Sequence, residues 1–241
     1  MSVWQRISDF LGSFPQGSDI ARSLTSVLDP DNWLPGGRDA AFTLALVALS
    51  AKMAVADGVV TASEVRAFRE TVQIPEGSEE PIARLFNLAQ QDVAGYESYA
   101  RKIGRLFADS PETLEHVLDG LFHIASADGL VHEAELEYLK DVSDIFGFDE
   151  LRFEQIAAGH IVQNEGMDPY LVLGLMPDAP DSEVRRVYRL LVAEHHPDRL
   201  AAKGVPQEMM TLATARMAAI NAAYDTIAKA RGLRGVLSSP A

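Results

Sequence analysis

Asp181-Ser-Glu-Val-Arg-Arg-Val-Tyr-Arg-Leu-Leu-Val-Ala-Glu-His-His-Pro-Asp198 decides how the C-terminal part of this chain folds. Val184, Val187, Tyr188, Leu191 and His195 recur at three- and four-residue steps and share one face of a helix, while Arg185, Arg186 and Arg189 fall on another. The segment therefore reads as an amphipathic helix with a basic outer stripe. Pro197 ends it, because proline disfavours helical backbone at the residue before it and lacks the amide that would continue the ladder.

Reading outward, a loop through Lys203-Gly204 leads to Pro206, after which Met210, Ala213, Met217, Ile220, Tyr224 and Ile227 form an apolar stripe along a long helix. On the other side, Asp168-Pro169-Tyr170 has an N-cap followed by proline at the first helical position, and Gly174 supplies a stop. Three helices follow, the last two antiparallel, with their stripes buried against each other and His196-Pro197-Asp198 exposed in a loop at the tip.

The chain before this unit is also helical, with no alternating strand pattern. Asp39 opens a helix through Ala56, whose apolar run Ala40 to Leu49 is too short for the ~20 residues a membrane span needs and reads as buried. Thr61-Ala-Ser-Glu64 is a capping box, and the helix it starts is expected to turn Val65, Phe68 and Val72 inward and to stop before Pro75. Ser78 to Asp92, Gly95 to Phe107, a helix capped by Ser110-Pro111, and further helices through Ala158 complete the domain. Val3, Trp4, Ile7, Phe10, Leu11 and Phe14 recur at helical spacing in an N-terminal segment expected to pack on that domain. The resulting division is an N-terminal helical segment 1–38, an acidic helical domain 39–158, a linker 159–167, a C-terminal unit 168–233 and a disordered tail 234–241.

A repeat lies inside the acidic domain. Ala54-Val-Ala-Asp-Gly-Val-Val-Thr-Ala-Ser-Glu64 matches Ala125-Ser-Ala-Asp-Gly-Leu-Val-His-Glu-Ala-Glu135. In each copy a glycine, Gly58 or Gly129, permits left-handed backbone at a helix end, and the glutamate sits in the first turn of the next helix, where the macrodipole favours an anion.

Composition bounds the chemistry. Of 241 residues 47% are hydrophobic and none is cysteine, so a packed core is affordable while disulfides, thiolate metal sites and cysteine nucleophiles are excluded. The net charge of −14 is uneven: the first 166 residues hold 27 acidic and 12 basic side chains, the remainder 8 and 9. An acidic domain joined to a near-neutral one argues against nucleic acid, whose phosphates need clustered Lys and Arg. No secretory signal or transmembrane segment is legible, and cytoplasmic localisation is the expectation. No His-Glu-x-x-His, Gly-x-Ser-x-Gly or phosphate-cradling glycine loop accompanies His195, His196 and Asp198, so an enzyme is not expected.

Two resemblances follow. Asp168-Pro-Tyr-Leu-Val-Leu-Gly174, Glu183-Val-Arg-Arg-Val-Tyr188, His195-His-Pro-Asp198 and Ile220-Asn-Ala-Ala-Tyr224 resemble, in order and spacing, the J domain of DnaJ-like proteins. The paired Ala-Asp-Gly units resemble the TerB-like domain of tellurite-resistance proteins over about Phe42 to Phe148. Together they look like the DjlA type of co-chaperone; members of that type usually begin with a membrane anchor, and because no anchor is legible here, membrane attachment is not carried over.

The J-domain resemblance implies a DnaK-type chaperone as partner, whose ATP hydrolysis is stimulated. His196, Pro197, Asp198 and Arg199 are the implied contacts at the tip, with Arg185, Arg186 and Arg189 docking on an acidic surface. The N-terminal domain is left to target an unknown client or regulator. No cofactor is expected, with one open alternative: Asp57, Glu64, Asp128 and Glu135 match the positions of a divalent-cation site proposed for the TerB-like family. Four carboxylates together suit a hard cation, which would make the chain a metal-binding or metal-stress protein; helix capping explains the same residues without a metal.

Overall fold

The computed structural model describes residues 37–56, 61–71, 79–91, 95–160, 168–202 and 210–233. The segment 1–36, the tail, Gly58, Val72 and most of the expected linker lie outside them. Every regular element among the described residues is helical, as expected of an all-α chain.

In helix α1 (Gly37–Ala56) Thr43 through Met53 are buried without a break, so no side of this stretch faces solvent. Such a helix can only be a core element. Around it run α2 (Ala62–Thr71), α3 (Glu79–Gln91), α4 (Tyr96–Leu106), α5 (Pro111–Ala125), α6 (Glu133–Phe146) and α7 (Glu150–Ala157). The Tyr138 hydroxyl of α6 donates to the Leu49 carbonyl of α1 at 2.8 Å, and burial pushes that phenol well above its ordinary pKa. Between α5 and α6 a single 3₁₀ turn, Ser126–Asp128, ends at Gly129 with φ 95°, a conformation that glycine adopts without a Cβ penalty.

The capping box forms as expected. The Glu64 amide donates to Thr61 Oγ1 at 3.1 Å, and the Thr61 hydroxyl donates to Glu64 Oε1 at 2.8 Å. The inward face of α2 is nevertheless different from the one expected. Glu64, Ala67, Phe68 and Thr71 are buried, whereas Val65 is 45% exposed. The stripe is rotated by one residue, which places the capping carboxylate of Glu64 on the inner side.

Helix α5 is the centre of the molecule. Twelve of its 15 residues are buried, and it packs against α1, α2, α6, α7 and a helix of the C-terminal unit. It carries more charge inward than α1, whose one buried charged residue among those described is Lys52: Glu115, His116 and Asp119 are all buried.

The C-terminal unit consists of α8 (Pro169–Leu173), α9 (Asp181–Glu194), α10 (Pro197–Ala202) and α11 (Met210–Arg231). Asp168 caps α8 by accepting from the Tyr170 amide at 2.9 Å, and Gly174 stops it at φ 65°. Val172, Val184, Tyr188, Leu191, Ile220, Tyr224 and Ile227 form its core, with the Tyr188 and Tyr224 rings stacked at 4.0 Å. Arg231 closes the unit, donating to the Tyr170 hydroxyl, Asp181 Oδ1 and the carbonyls of Ala179 and Pro177.

Two expectations are corrected here. His196-Pro197-Asp198 does not sit in an open loop: Pro197 and Asp198 form the first turn of α10, with the Arg199 and Leu200 amides donating to the His196 carbonyl. Nor is the stripe of α11 unbroken. Met217 is half-buried while Arg216, beside it, is only 3% exposed, because this half of α11 faces the acidic domain rather than α9.

Leu121, fully buried on α5, is the sharpest test of this centre. Leu121→Ala is expected to cost about 2–5 kcal/mol, read in urea denaturation as a lower midpoint with an unchanged slope.

Candidate functional site

Consecutive histidines at the end of α9 point opposite ways. His195 is fully buried, whereas the side chains of His196 and Asp198 are 53% and 94% exposed. A helix ending at proline does this, because the backbone leaves the helical path at His196 and the next turn starts on a new axis. His196 sits just before α10, where its Nδ1 accepts from the Asp198 amide at 3.3 Å. Arg199 Nη1 donates back to the Ala193 carbonyl at 3.4 Å, and Leu200 is buried beneath, so the exposed aspartate stands on an anchored turn. On the outer face of α9, Arg186 donates twice to Glu183, at 2.9 and 2.6 Å. That pair raises the Arg186 pKa and lowers that of Glu183. Arg189 Nε donates to the Arg185 carbonyl at 3.1 Å, and both guanidiniums belong to the same face.

Behind the tip lies a buried polar network that sequence reasoning missed. Glu115 of α5 accepts from Arg152 of α7 through Oε2, and its Oε1 stands 3.6 Å from both His195 Nε2 and Arg216 Nη2. Arg152 Nη1 donates to the Gln155 side chain at 3.2 Å, and Arg216 Nη1 to the Gln155 carbonyl at 3.3 Å. The His195 ring packs on that of His116 at 5.3 Å. One turn further along α5, Asp119 is bonded to His160 Nε2 at 2.8 Å, and the His160 ring stacks on Phe122. His160, within the expected linker 159–167, is tied to the acidic domain by these contacts. Charged residues at inward helical positions were the available signal: Glu115 and Asp119 lie one turn apart within an apolar helix, and Arg216 falls between Ala213 and Ile220 of the α11 stripe.

The network sets the ionisation of its own buried members. Burial, reinforced by His116 and the two arginines, pushes His195 down to about 2, so it is neutral at ordinary pH. Burial also raises the pKa of the neighbouring Glu194. Asp119 is held below the carboxylate range by His160 and Arg216, which overcome the opposing effect of burial.

The four acidic positions of the repeat are placed as follows. Glu64 and Glu135 are buried and line one largely apolar cleft of about 340 Å³ with Met53, Phe68 and Ile82. Glu64 is engaged by Thr61, and Glu135 Oε2 accepts from the His132 amide at 2.9 Å. Asp128 is exposed, accepts from the Leu130 amide at 3.1 Å and lies 3.9 Å from His132 Nε2. Asp57 lies outside the described residues. Among those described, no three His, Cys, Asp or Glu side chains converge as a metal site.

Comparison with known proteins agrees with this architecture. Residues 43–158 match the family described as tellurite resistance protein TerB, and residues 168–231 match the DnaJ domain. The acidic bundle and the helix pair with its His-Pro-Asp tip therefore define a J-domain co-chaperone. Among the relatives, the co-chaperone protein DjlA of Photobacterium profundum is 31% identical over 222 residues, covering 82% of this chain and 80% of its own. That of Coxiella burnetii is 32% identical over 200 residues, covering 75% and 74%. The Shewanella oneidensis protein is 37% identical over 136 residues, about half of each chain. The chain belongs to the DjlA co-chaperone family. No solved structure matches it. Among the described residues no helix is long and apolar enough to cross a membrane.

Because unfolded His195 takes up a proton near its ordinary value of 6.5 and the folded form does so only near 2, stability is lost as pH falls below about 6.5. The slope from this group approaches about 1.4 kcal/mol per pH unit. His123, also lowered by burial and by His160, acts in the same sense. Urea midpoints measured at pH 7.5, 6.5 and 5.5 are expected to fall in wild type and to fall less steeply in His195→Gln.

Proposed function

We propose that this chain stimulates ATP hydrolysis by a DnaK-type chaperone through its J domain, while its TerB domain targets it to a client or regulator. The observation that carries the reading is the anchored, solvent-facing Asp198 beside His196 and Pro197. An aspartate fixed on a helical turn is suited to a charge-assisted pair with an arginine of the partner, and breaking one side of such a buried pair costs roughly 2–5 kcal/mol. Arg185 and Arg189 serve encounter, by attracting an acidic surface at long range. Arg186 contributes less, since Glu183 already offsets its charge.

In this reading the chain is a cytoplasmic regulatory protein rather than an enzyme, has no nucleic-acid partner and needs no cofactor. Its acidic balance and lack of cysteine support that assignment. The caps that engage Glu64 and Glu135 supply a role for these carboxylates without a cation.

The purified chain is expected to accelerate single-turnover ATP hydrolysis by the host's DnaK-type chaperone. Asp198→Asn and His196→Gln are each expected to abolish the acceleration while leaving the helical circular dichroism and urea midpoint in place. No acceleration by wild type would sink the reading. In Arg189→Ala the half-saturating concentration should rise, and the difference from wild type should shrink as salt is added.

A further inference from the structure

The His-Pro-Asp end of the helix pair is not self-supporting. With α8 the pair has its own core at the end away from the tip, built on Val172, Tyr188, Tyr224 and Ile227. At the tip end, Leu200, Met210 and Ala213 instead join the core of the acidic domain, in one cluster with Leu118, Leu121 and Phe153. The turn that carries Asp198 therefore packs on the half of α11 that is seated in the TerB domain.

A polar tie sits at the same seam. The Glu115 carboxylate meets side chains from three other elements, Arg152 of α7, His195 at the end of α9 and Arg216 of α11. Two of these belong to the two long helices of the J domain, and His195 adjoins His196 in the chain. Glu115, His195 and Arg216 are all at least nine-tenths buried. Two charged groups and an imidazole are thus removed from water at a place where apolar side chains would pack at lower cost. Buried polar groups of this kind fix one register, because each alternative docking leaves a charge without its partner. A second contact agrees: a Cβ at Gly174, where α8 stops, would overlap the side chain of Gln155, the residue bonded to both Arg152 and Arg216.

We infer that Glu115 is a positioning residue for co-chaperone activity: from the TerB domain it pairs with Arg216 and abuts the neutral His195 ring, and so fixes the angle at which His196-Pro197-Asp198 is presented to the partner. The inference rests on the ATPase-stimulating role proposed above. It makes the TerB domain a structural part of the J-domain site as well as a targeting module. Glu115 acts through Arg216 and the packing of His195 against it, and its loss should alter the efficiency of the engaged complex more than its formation, which depends on the distant Arg185 and Arg189.

The test uses the full chain. In Glu115→Gln, maximal stimulation at saturating co-chaperone is expected to fall about tenfold, within the range that small misplacement of reacting groups produces. The half-saturating concentration should change less than twofold. Arg189→Ala should show the opposite split. Amide resonances of Asp198 and Arg199 should shift in Glu115→Gln while those of Tyr188 and Tyr224 stay in place, and Glu115→Asp should recover part of the lost stimulation. If Glu115→Gln does not fold, Arg216→Lys, which keeps the charge but loses the planar fork, is expected to give the same split in weaker form. Wild-type maximal stimulation with unmoved tip resonances in a folded variant overturns the inference, as does equal loss in both kinetic parameters. If wild type itself gives no stimulation, the functional reading fails, while the resonance comparison still reports whether Glu115 sets the tip.

Discussion

A carboxylate placed in the middle of the central helix constrains the rest of this fold. Glu115 is 2% exposed, and an ionised group so far from water is tolerated only where cations and donors are brought to it. Arg152 and Arg216 meet that requirement from different elements, and Arg216 does so from the J domain. The chain therefore cannot bury α5 fully and leave the J domain undocked without stranding charge. Neighbouring features follow from this. Gln155 orients both arginines, His195 remains neutral between them, and α11 turns its first half toward the acidic domain and its second half toward α9.

That arrangement gives adjacent residues separate duties. His195 belongs to the interior, and His196, one residue on, to the surface. The proline between His196 and Asp198 does more than end α9: it starts α10, and the buried Leu200 of that short helix pins the turn from below. The exposed aspartate thus has little backbone freedom to lose when a partner binds, which is how preorganisation gains affinity. The basic face of α9 lies away from this anchoring, so attraction at long range and engagement at close range depend on different side chains.

The local rules in the sequence were legible and the long-range ones were not. The Thr61 and Glu64 box, the Asp168 cap, the Gly174 stop and the inward His195 all form where spacing places them, because each depends on residues within one or two turns. Val65 faces outward because a three-to-four periodicity fits two adjacent registers, and Glu64, Ala67, Phe68 and Thr71 take the buried one. Apolar periodicity also cannot show which body a stripe faces, so α11 read as a uniform partner of α9 although Arg216 interrupts it. Glu115 and Arg216 are 101 positions apart, and no local pattern pairs them. Each showed only as a charge at an inward position.

The acidic repeat gains a different meaning from the same comparison. Glu64 and Glu135 occupy matching places in the two units, both are buried, and both line a single cleft. Both are also bound to the backbone amide three residues earlier, Thr61 for one and His132 for the other. The repeat therefore preserves a way of starting a helix inside the protein: the carboxylate enters the core because it satisfies an amide that the first turn would otherwise leave unpaired. The buried acid that reaches the J domain lies outside the repeated stretches, on the helix that leads into the second of them. Negative charge in this domain is thus divided by position, with the repeated glutamates closing helix ends locally and Glu115 joining elements distant in sequence.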